Sequence, residues 1–454
     1  MSTPTNGSAS APVASTGHGQ LRRALGLTPL VLFGLVYIVP LTVYTTYGIV
    51  TEITGGRLPV AYVVTLFAMG FTAVSYARMA AAFPVAGSAY TYTQKAFGAR
   101  LGFLTGWSLL LDYLFLPMLN YLVIGIYLEA AFPAMKAWMF IACAIAVVTV
   151  LNIVGIVSVA RANSVIIAVQ TVFILTFFAM AARTLSGRGG VDLAAPVHGD
   201  GTATGMGPIL AGAAVLCLSF LGFDAVSTLS EEAKRPDRDV PRAIIMVTLG
   251  AGLIFILLSY VSQLVFPSNA FADVDSGSLE VMRTAGGRFL TDFFTAAFVA
   301  GALGSALTSQ ASVARILYAM GRDGILPQRV FGYVSARFAT PVYAIVLVSA
   351  VSLLAIVIDL ATLASIVSFG ALVAFTAVNA SVVKHYFLDL RQRSVLSNLV
   401  LPLIGFVLTV WLWTSLSGRT LVVGLSWLGI GLLWLLIVTR GFRRPTPVMA
   451  VETD

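Results

Sequence analysis

Two carboxylates stand where a carboxylate is expensive. Asp224 lies in Phe220-Leu-Gly-Phe-Asp-Ala-Val226, in the middle of an apolar run over 208–230, and no basic residue falls within a helical turn or two of it. Asp112 lies in Leu109-Leu-Leu-Asp-Tyr-Leu-Phe115, about a third of the way into another apolar run. A charge at mid-bilayer depth costs roughly 3 kcal/mol on insertion scales, so a carboxylate kept there is expected to bind a cation or to take up and release a proton. Tyr113 beside Asp112 adds a ring face and a hydroxyl. Carboxylate plus aromatic ring suits an organic ammonium, with an ion pair at one end and a quadrupole covering the methylenes. Two such carboxylates could hold the two ammonium groups of a diamine. The bland alternative for Asp112 is a helix-end charge reaching interfacial water.

The elements that must position these groups are transmembrane helices. The chain has 454 residues, 58% hydrophobic and 10% charged, where a soluble protein carries roughly 25% charged residues. Its apolar residues come in runs of about 20, the span of a bilayer. About twelve such runs can be marked: 28–51, 59–82, 101–130, 137–153, 162–182, 208–230, 243–266, 288–320, 342–358, 361–383, 396–416 and 421–439. The chain is thus an all-α polytopic membrane protein. The polar residues 1–24 and the segment 441–454 read as tails. Most of the 27 basic residues fall on one side of these spans, which places both termini in the cytoplasm. The net charge of +8 is this topological bias rather than a nucleic-acid surface, because no basic cluster is interleaved with aromatics.

Two spans carry a break. The first holds Pro40, in Gly34-Leu-Val-Tyr-Ile-Val-Pro-Leu-Thr-Val-Tyr44, and the sixth holds Gly222. Proline removes a backbone donor and glycine loosens the helix. The two breaks lie five helices apart, and interrupted helices at matching positions of two halves point to a binding site at the midplane. Unwound backbone is tolerated there only when it faces protein or a water-filled cavity, so the breaks are expected to face one another across a cavity. Tyr37, Thr42, Tyr44, Thr45 and Tyr47 crowd the first break; Phe220, Gly222 and Phe223 surround the second. Ser305, Thr308 and Ser309 could ligate Na⁺, although such hydroxyls more often bond their own backbone. The mixed-charge segment 231–242 reads as a solvated loop. Cys143 and Cys217 sit in apolar runs as small hydrophobes, and no zinc spacing, phosphate-binding glycine loop or nucleophile elbow is present. Nothing in the pattern supports an enzyme or a cofactor.

Three stretches carry a resemblance. Phe83-Pro-Val-Ala-Gly-Ser-Ala-Tyr-Thr-Tyr92, Ser219-Phe-Leu-Gly-Phe-Asp-Ala-Val226 and Ser312-Val-Ala-Arg-Ile-Leu-Tyr-Ala-Met-Gly-Arg-Asp-Gly-Ile-Leu-Pro327 resemble the amino acid–polyamine–organocation superfamily over nearly the whole chain. Tyr37-Ile-Val-Pro-Leu-Thr-Val43, Leu111-Asp-Tyr-Leu-Phe-Leu-Pro117 and Phe223-Asp-Ala-Val-Ser-Thr-Leu-Ser-Glu-Glu232 are similar to its putrescine-importing bacterial members. The resemblance implies a five-plus-five inverted repeat, 25–185 and 208–385, with two further helices over 395–440. It implies proton-driven uptake of putrescine or a related polyamine across the bacterial inner membrane by alternating access. Substrate would lie among Tyr37, Thr42, Tyr44, Asp112, Tyr113, Phe220, Gly222, Phe223 and Asp224, with a proton rather than Na⁺ as the coupling ion. The chain also departs from its relatives. Amino-acid carriers have a glycine-rich turn in the first helix whose amides hold a carboxylate; this chain reads Tyr-Ile-Val-Pro-Leu-Thr, which favours a substrate lacking one. Some relatives place a lysine where this chain has Gln170, so coupling falls to Asp112 and Asp224. An amino acid or other amine permease or exchanger is the alternative.

Overall fold

The computed structural model describes residues 25–446, apart from 86–87, 155–158, 323–325, 336 and 339; the expected tails lie wholly or largely outside the described residues. In chain order the helices are α1 (Leu27–Ile38), α2 (Tyr47–Thr54), α3 (Leu58–Ala82), α4 (Ser88–Phe97), α5 (Ala99–Ala131), α6 (Ala137–Val154), α7 (Val159–Ser186), α8 (Ala195–His198), α9 (Gly207–Leu216), α10 (Pro236–Val265), α11 (Ser278–Arg322), α12 (Gln328–Phe331), α13 (Val342–Ser352), α14 (Leu360–Val382), α15 (Leu401–Thr414) and α16 (Gly418–Val438). Prolines in the first turns of α3, α9, α10 and α15 start those helices where no intrahelical donor is lost. Asp359 caps α14 by accepting from Thr362 N at 2.8 Å.

Among the described residues, 11 helices are long and apolar enough to cross a membrane. The expected ninth span is a shorter apolar helix, Val342–Ile356, so the count of twelve is not met by length alone. The expected start of the eighth span near Arg288 has a cause: α11 is broken at Gly286 (φ −152°) and Gly287 (φ 63°), which sets Ser278–Ala285 apart from the spanning part. Helix α5 runs on through Pro117.

The sixth span is the innermost. In its most apolar stretch 94% of residues are buried, against 17% in α16, whose Leu433 and Ile437 turn outward. Around it the helices form two groups. In one, α3 packs on α10 and α10 on α1. In the other, α5 packs on α11 and α6, and α13 on both α6 and α11. A buried polar network fixes the second group. Tyr121 OH donates to Gln310 Oε1, Gln310 Nε2 donates to Ser349 Oγ at 2.7 Å, and Ser349 Oγ lies 2.6 Å from Thr149 Oγ1. Every helix of that group contributes one member. At the periphery, Trp107 and Trp427 each donate their indole N–H to the other's carbonyl, at 2.9 and 2.8 Å, holding α16 against α5.

Candidate functional site

The first break falls one residue before the proline. Proline disfavours helical geometry in the residue preceding it, and Val39 leaves the helix at φ 55°, ψ 98°. A β-branched residue at positive φ is strained, and such strain persists only where the surroundings enforce it. Pro40 then opens a 3₁₀ turn, Pro40–Tyr44, in which its missing N–H is no loss. Thr42 repairs part of the gap: its hydroxyl lies 2.7 Å from both Ile38 O and Val39 O as a donor.

The second break is tighter. Helix α9 narrows to a 3₁₀ turn at Cys217–Phe220, Leu221 is extended, and the chain resumes as 3₁₀ over Asp224–Glu232. Gly222 stands at φ 126°. A Cβ there would come within 2.5 Å of Tyr37 Cδ1 and 3.1 Å of Ile38 N. Glycine is therefore required twice, by its dihedral and by the contact. The two breaks touch, as their sequence positions suggest. The C-terminal ends of α1 and of the Cys217–Phe220 turn both stop here, and a helix C-terminus carries partial negative charge that favours a cation.

The carboxylates converge on this contact. Asp224 and Asp112 are each 5% exposed. Asp224 Oδ1 accepts from Gly222 N at 3.2 Å, while Asp112 Oδ1 is buried without a hydrogen-bond partner. Asp112 sits at a close approach of α14 to α5: Ser108 Oγ donates to Gly370 O at 3.1 Å, and a Cβ on Gly370 would lie 3.0 Å from Asp112 N. The two carboxylates are within electrostatic reach of one another, and Tyr37, Tyr76 and Tyr113 are within reach of both. Among the described residues no lysine or arginine pairs with either acid. Two like charges taken out of water need a counter-cation or a proton.

Phe223 joins this chamber through an aromatic cluster, 5.4 Å from Tyr76 and 5.1 Å from Phe375 between ring centroids, with Tyr92 5.9 Å from Tyr76. The Tyr76 and Tyr92 hydroxyls are buried without a well-formed hydrogen bond, as is Ser88 Oγ on the same side. Sequence reasoning passed over Tyr76 and Tyr92 as site residues. Tyr92 lay in the polar stretch before α5, a usable signal; Tyr76 lies in an apolar run with only Ser75 to mark it.

Two residues of the expected set face elsewhere. Tyr44 OH lies 3.1 Å from Ser262 Oγ, its carbonyl accepts from Tyr127 OH at 2.8 Å, and its ring meets Phe294 edge-on at 5.2 Å. Phe220 packs edge-on against Phe255 at 5.4 Å. Beside the breaks is a small cavity bounded by Tyr37, Thr42, Thr45, Leu218 and Leu221 from the broken helices and by α5 and α11. The breaks thus border a cavity as well as each other. The hydroxyls proposed for Na⁺ bond backbone or a neighbour: Thr308 donates to Gly304 O at 3.0 Å, Ser309 to Ser305 O at 2.6 Å, and Ser305 accepts from Asn120 at 3.0 Å. Gln170 is buried with both amide ends unpartnered, wedged between Gly301 and Val39.

An all-helical chain whose two interrupted helices meet at buried acids, wrapped in lipid-length helices, defines a multi-pass membrane permease. Residues 27–444 match the amino acid permease family model, and the chain belongs to that family. It is 41% identical over 450 residues to the low-affinity putrescine importer PlaP of Escherichia coli (strain K12), across 95% of this chain and 97% of that protein. It is 28% identical over 453 residues to the branched-chain amino acid permease BcaP of Bacillus subtilis (strain 168), across 94% and 95% of the two chains. With the vacuolar cationic amino acid transporter 4 of Arabidopsis thaliana it shares 30% identity over 394 residues, across 82% of this chain and 64% of that one.

Proposed function

We propose that this protein imports putrescine or a related polyamine across the bacterial inner membrane as a proton-coupled secondary transporter. The carrying observation is the pair Asp112 and Asp224, buried at the contact of the two breaks with no basic partner among the described residues. Such a chamber suits a cation, and the likeness to a putrescine importer names a fitting one. Backbone chemistry supports the reading against an amino acid. Pro40 has no N–H, Val39 N–H bonds to Val36 O at 3.3 Å, and Gly222 N–H bonds to Asp224. A substrate carboxylate would meet few free amides and two repelling acids.

In this reading Tyr37, Tyr113, Phe223 and Gly222 line the cation, Thr42 holds the first break open, and Tyr44 and Phe220 brace the broken helices from behind. Asp112 and Asp224 carry the proton when substrate leaves. The halves 25–185 and 208–385 act as inverted repeats, and one helix group rocks against the other. The basic ends of the helices face the cytoplasm, with both termini.

The test is radiolabelled putrescine uptake into proteoliposomes, with and without an inward proton gradient, competed by spermidine, arginine and alanine. Saturable, gradient-driven uptake blocked by polyamines alone is expected. Transport of arginine or alanine instead would reassign the chain to an amino acid permease or exchanger, and uptake indifferent to the gradient would remove the proton from the scheme.

A further inference from the structure

We infer that the cavity beside the breaks holds a neutral subsite, formed by Thr42, Thr45, Asn120 and Ser305, that receives the far amine of the substrate and so selects for a second amine at a fixed distance. The inference rests on the transport reading above and adds what that reading leaves open, the length of the substrate.

Asn120 stands about two helical turns, roughly 12 Å, beyond Asp112 along α5. Its side chain lines the cavity together with Thr42, Thr45 and Ser305. Asn120 Nδ2 donates to Leu116 O and to Ser305 Oγ, each at 3.0 Å. A carbonyl has no proton to give, so the nitrogen must be the end that faces Leu116, and Oδ1 is left as a free acceptor. Ser305 Oγ accepts from Asn120 and keeps a further lone pair. Thr42 Oγ1 donates to backbone carbonyls, which leaves its lone pairs open. Thr45 is 5% exposed and its hydroxyl makes no hydrogen bond. Four side chains with acceptor oxygens and no charge thus line one compartment.

The rest of the compartment's lining is largely apolar, with Leu116, Leu119, Val123 and Leu221 among it. Tyr37 belongs to both ends, since it lines the cavity and lies within reach of both carboxylates. In the proposed arrangement Leu116, which lies between Asp112 and Asn120 along α5, and Leu221 form a hydrophobic sleeve with the acids beyond one end and the neutral acceptors at the other. It matches an α,ω-diamine or longer polyamine lying along α5, with one ammonium shared by the two acids, its methylenes against the sleeve, and the second amine donating to Asn120 Oδ1 and the hydroxyls. A monoamine of equal length fills the sleeve and leaves those acceptors unpaired, which a pocket built of buried polar groups penalises.

The experiment compares putrescine with n-butylamine, as KM for uptake or as competition constants, in wild-type, Asn120→Leu and Thr45→Val proteoliposomes. Wild type is expected to prefer the diamine, and each variant to lower that preference, Asn120→Leu by about tenfold or more. Using a ratio within each variant, on protein that elutes as a single species in detergent, separates recognition from a loss of folded carrier. An unchanged ratio in both variants overturns the subsite while the transport reading stands. So does a sodium requirement that Asn120→Leu abolishes, which would give the cavity to a cation. Failure of wild type to carry any amine overturns the transport reading, and the subsite falls with it.

Discussion

Polar side chains are buried in two parts of this molecule under opposite conditions. In the helix group of α5, α6, α11 and α13, Tyr121, Gln310, Ser349 and Thr149 satisfy one another in a closed chain of hydrogen bonds. Around the breaks, Asp112, Tyr76, Tyr92, Ser88 and Gln170 are as deeply buried and carry atoms without a well-formed hydrogen bond. A satisfied network in low dielectric rigidifies; an unsatisfied buried group carries its full desolvation penalty. The first region is satisfied as it stands, whereas the second keeps buried polar atoms without a well-formed partner. Burial alone does not separate scaffold from site here. The hydrogen-bond account adds to it, although Ser352 on α13 and Trp413 on α15 also carry unpartnered atoms.

Four substitutions test that contrast. The largest effect is expected from Asp224→Asn. The amide can still accept from Gly222 N, so the break is kept while the charge is lost, and truncating one side of a buried charge pair costs about 2–5 kcal/mol. Amine uptake should fall by more than an order of magnitude in kcat/KM with the melting temperature held; near-wild-type uptake would place Asp224 in the scaffold class. Gly222→Ala comes next. It forces a side chain to φ 126° and against Tyr37, at about 1–3 kcal/mol for the backbone alone, so both thermal stability and transport should drop. In the satisfied region, Gln310→Leu leaves Tyr121 OH buried without its acceptor. Stability should fall by about 1–3 kcal/mol, read as a lower melting temperature in detergent, while KM stays put; a changed KM would mean that the network reaches into the site. Tyr76→Phe should be the mildest and should do the reverse. It removes a hydroxyl that has no well-formed hydrogen bond, so the melting temperature should hold while uptake falls a few-fold. Loss of stability in that variant would show the hydroxyl to have a structural partner.

The sequence made the membrane class and the two acids plain, because a carboxylate in an apolar run has few bland explanations. It also located both breaks, though Pro40 marks its break only through the residue before it, Val39, where the strain falls. The chamber's tyrosines were harder. Tyr76 and Tyr92 have ordinary neighbours in the chain, and only the approach of Phe223 and Phe375 makes them part of a site. Conversely Tyr44 sits four residues past the proline and looks like a lining residue, yet a 3₁₀ turn rotates successive side chains differently from an α-helix, and Tyr44 turns to Ser262 and Phe294. Helical spacing predicts faces only where the helix is regular, and the candidate site of this protein is where it is not.

One small contact bears on how such a protein is engineered. Leu25 N–H donates to Glu232 O at 3.0 Å and Lys234 N–H donates to Leu25 O at 2.8 Å, a parallel bridge that staples the entry of the first broken helix to the exit of the second. The staple is pure main chain. Alanine scanning passes over it unseen, whereas a proline at position 25, or a fusion partner that drags the N-terminus away, would unfasten both broken helices in a single stroke.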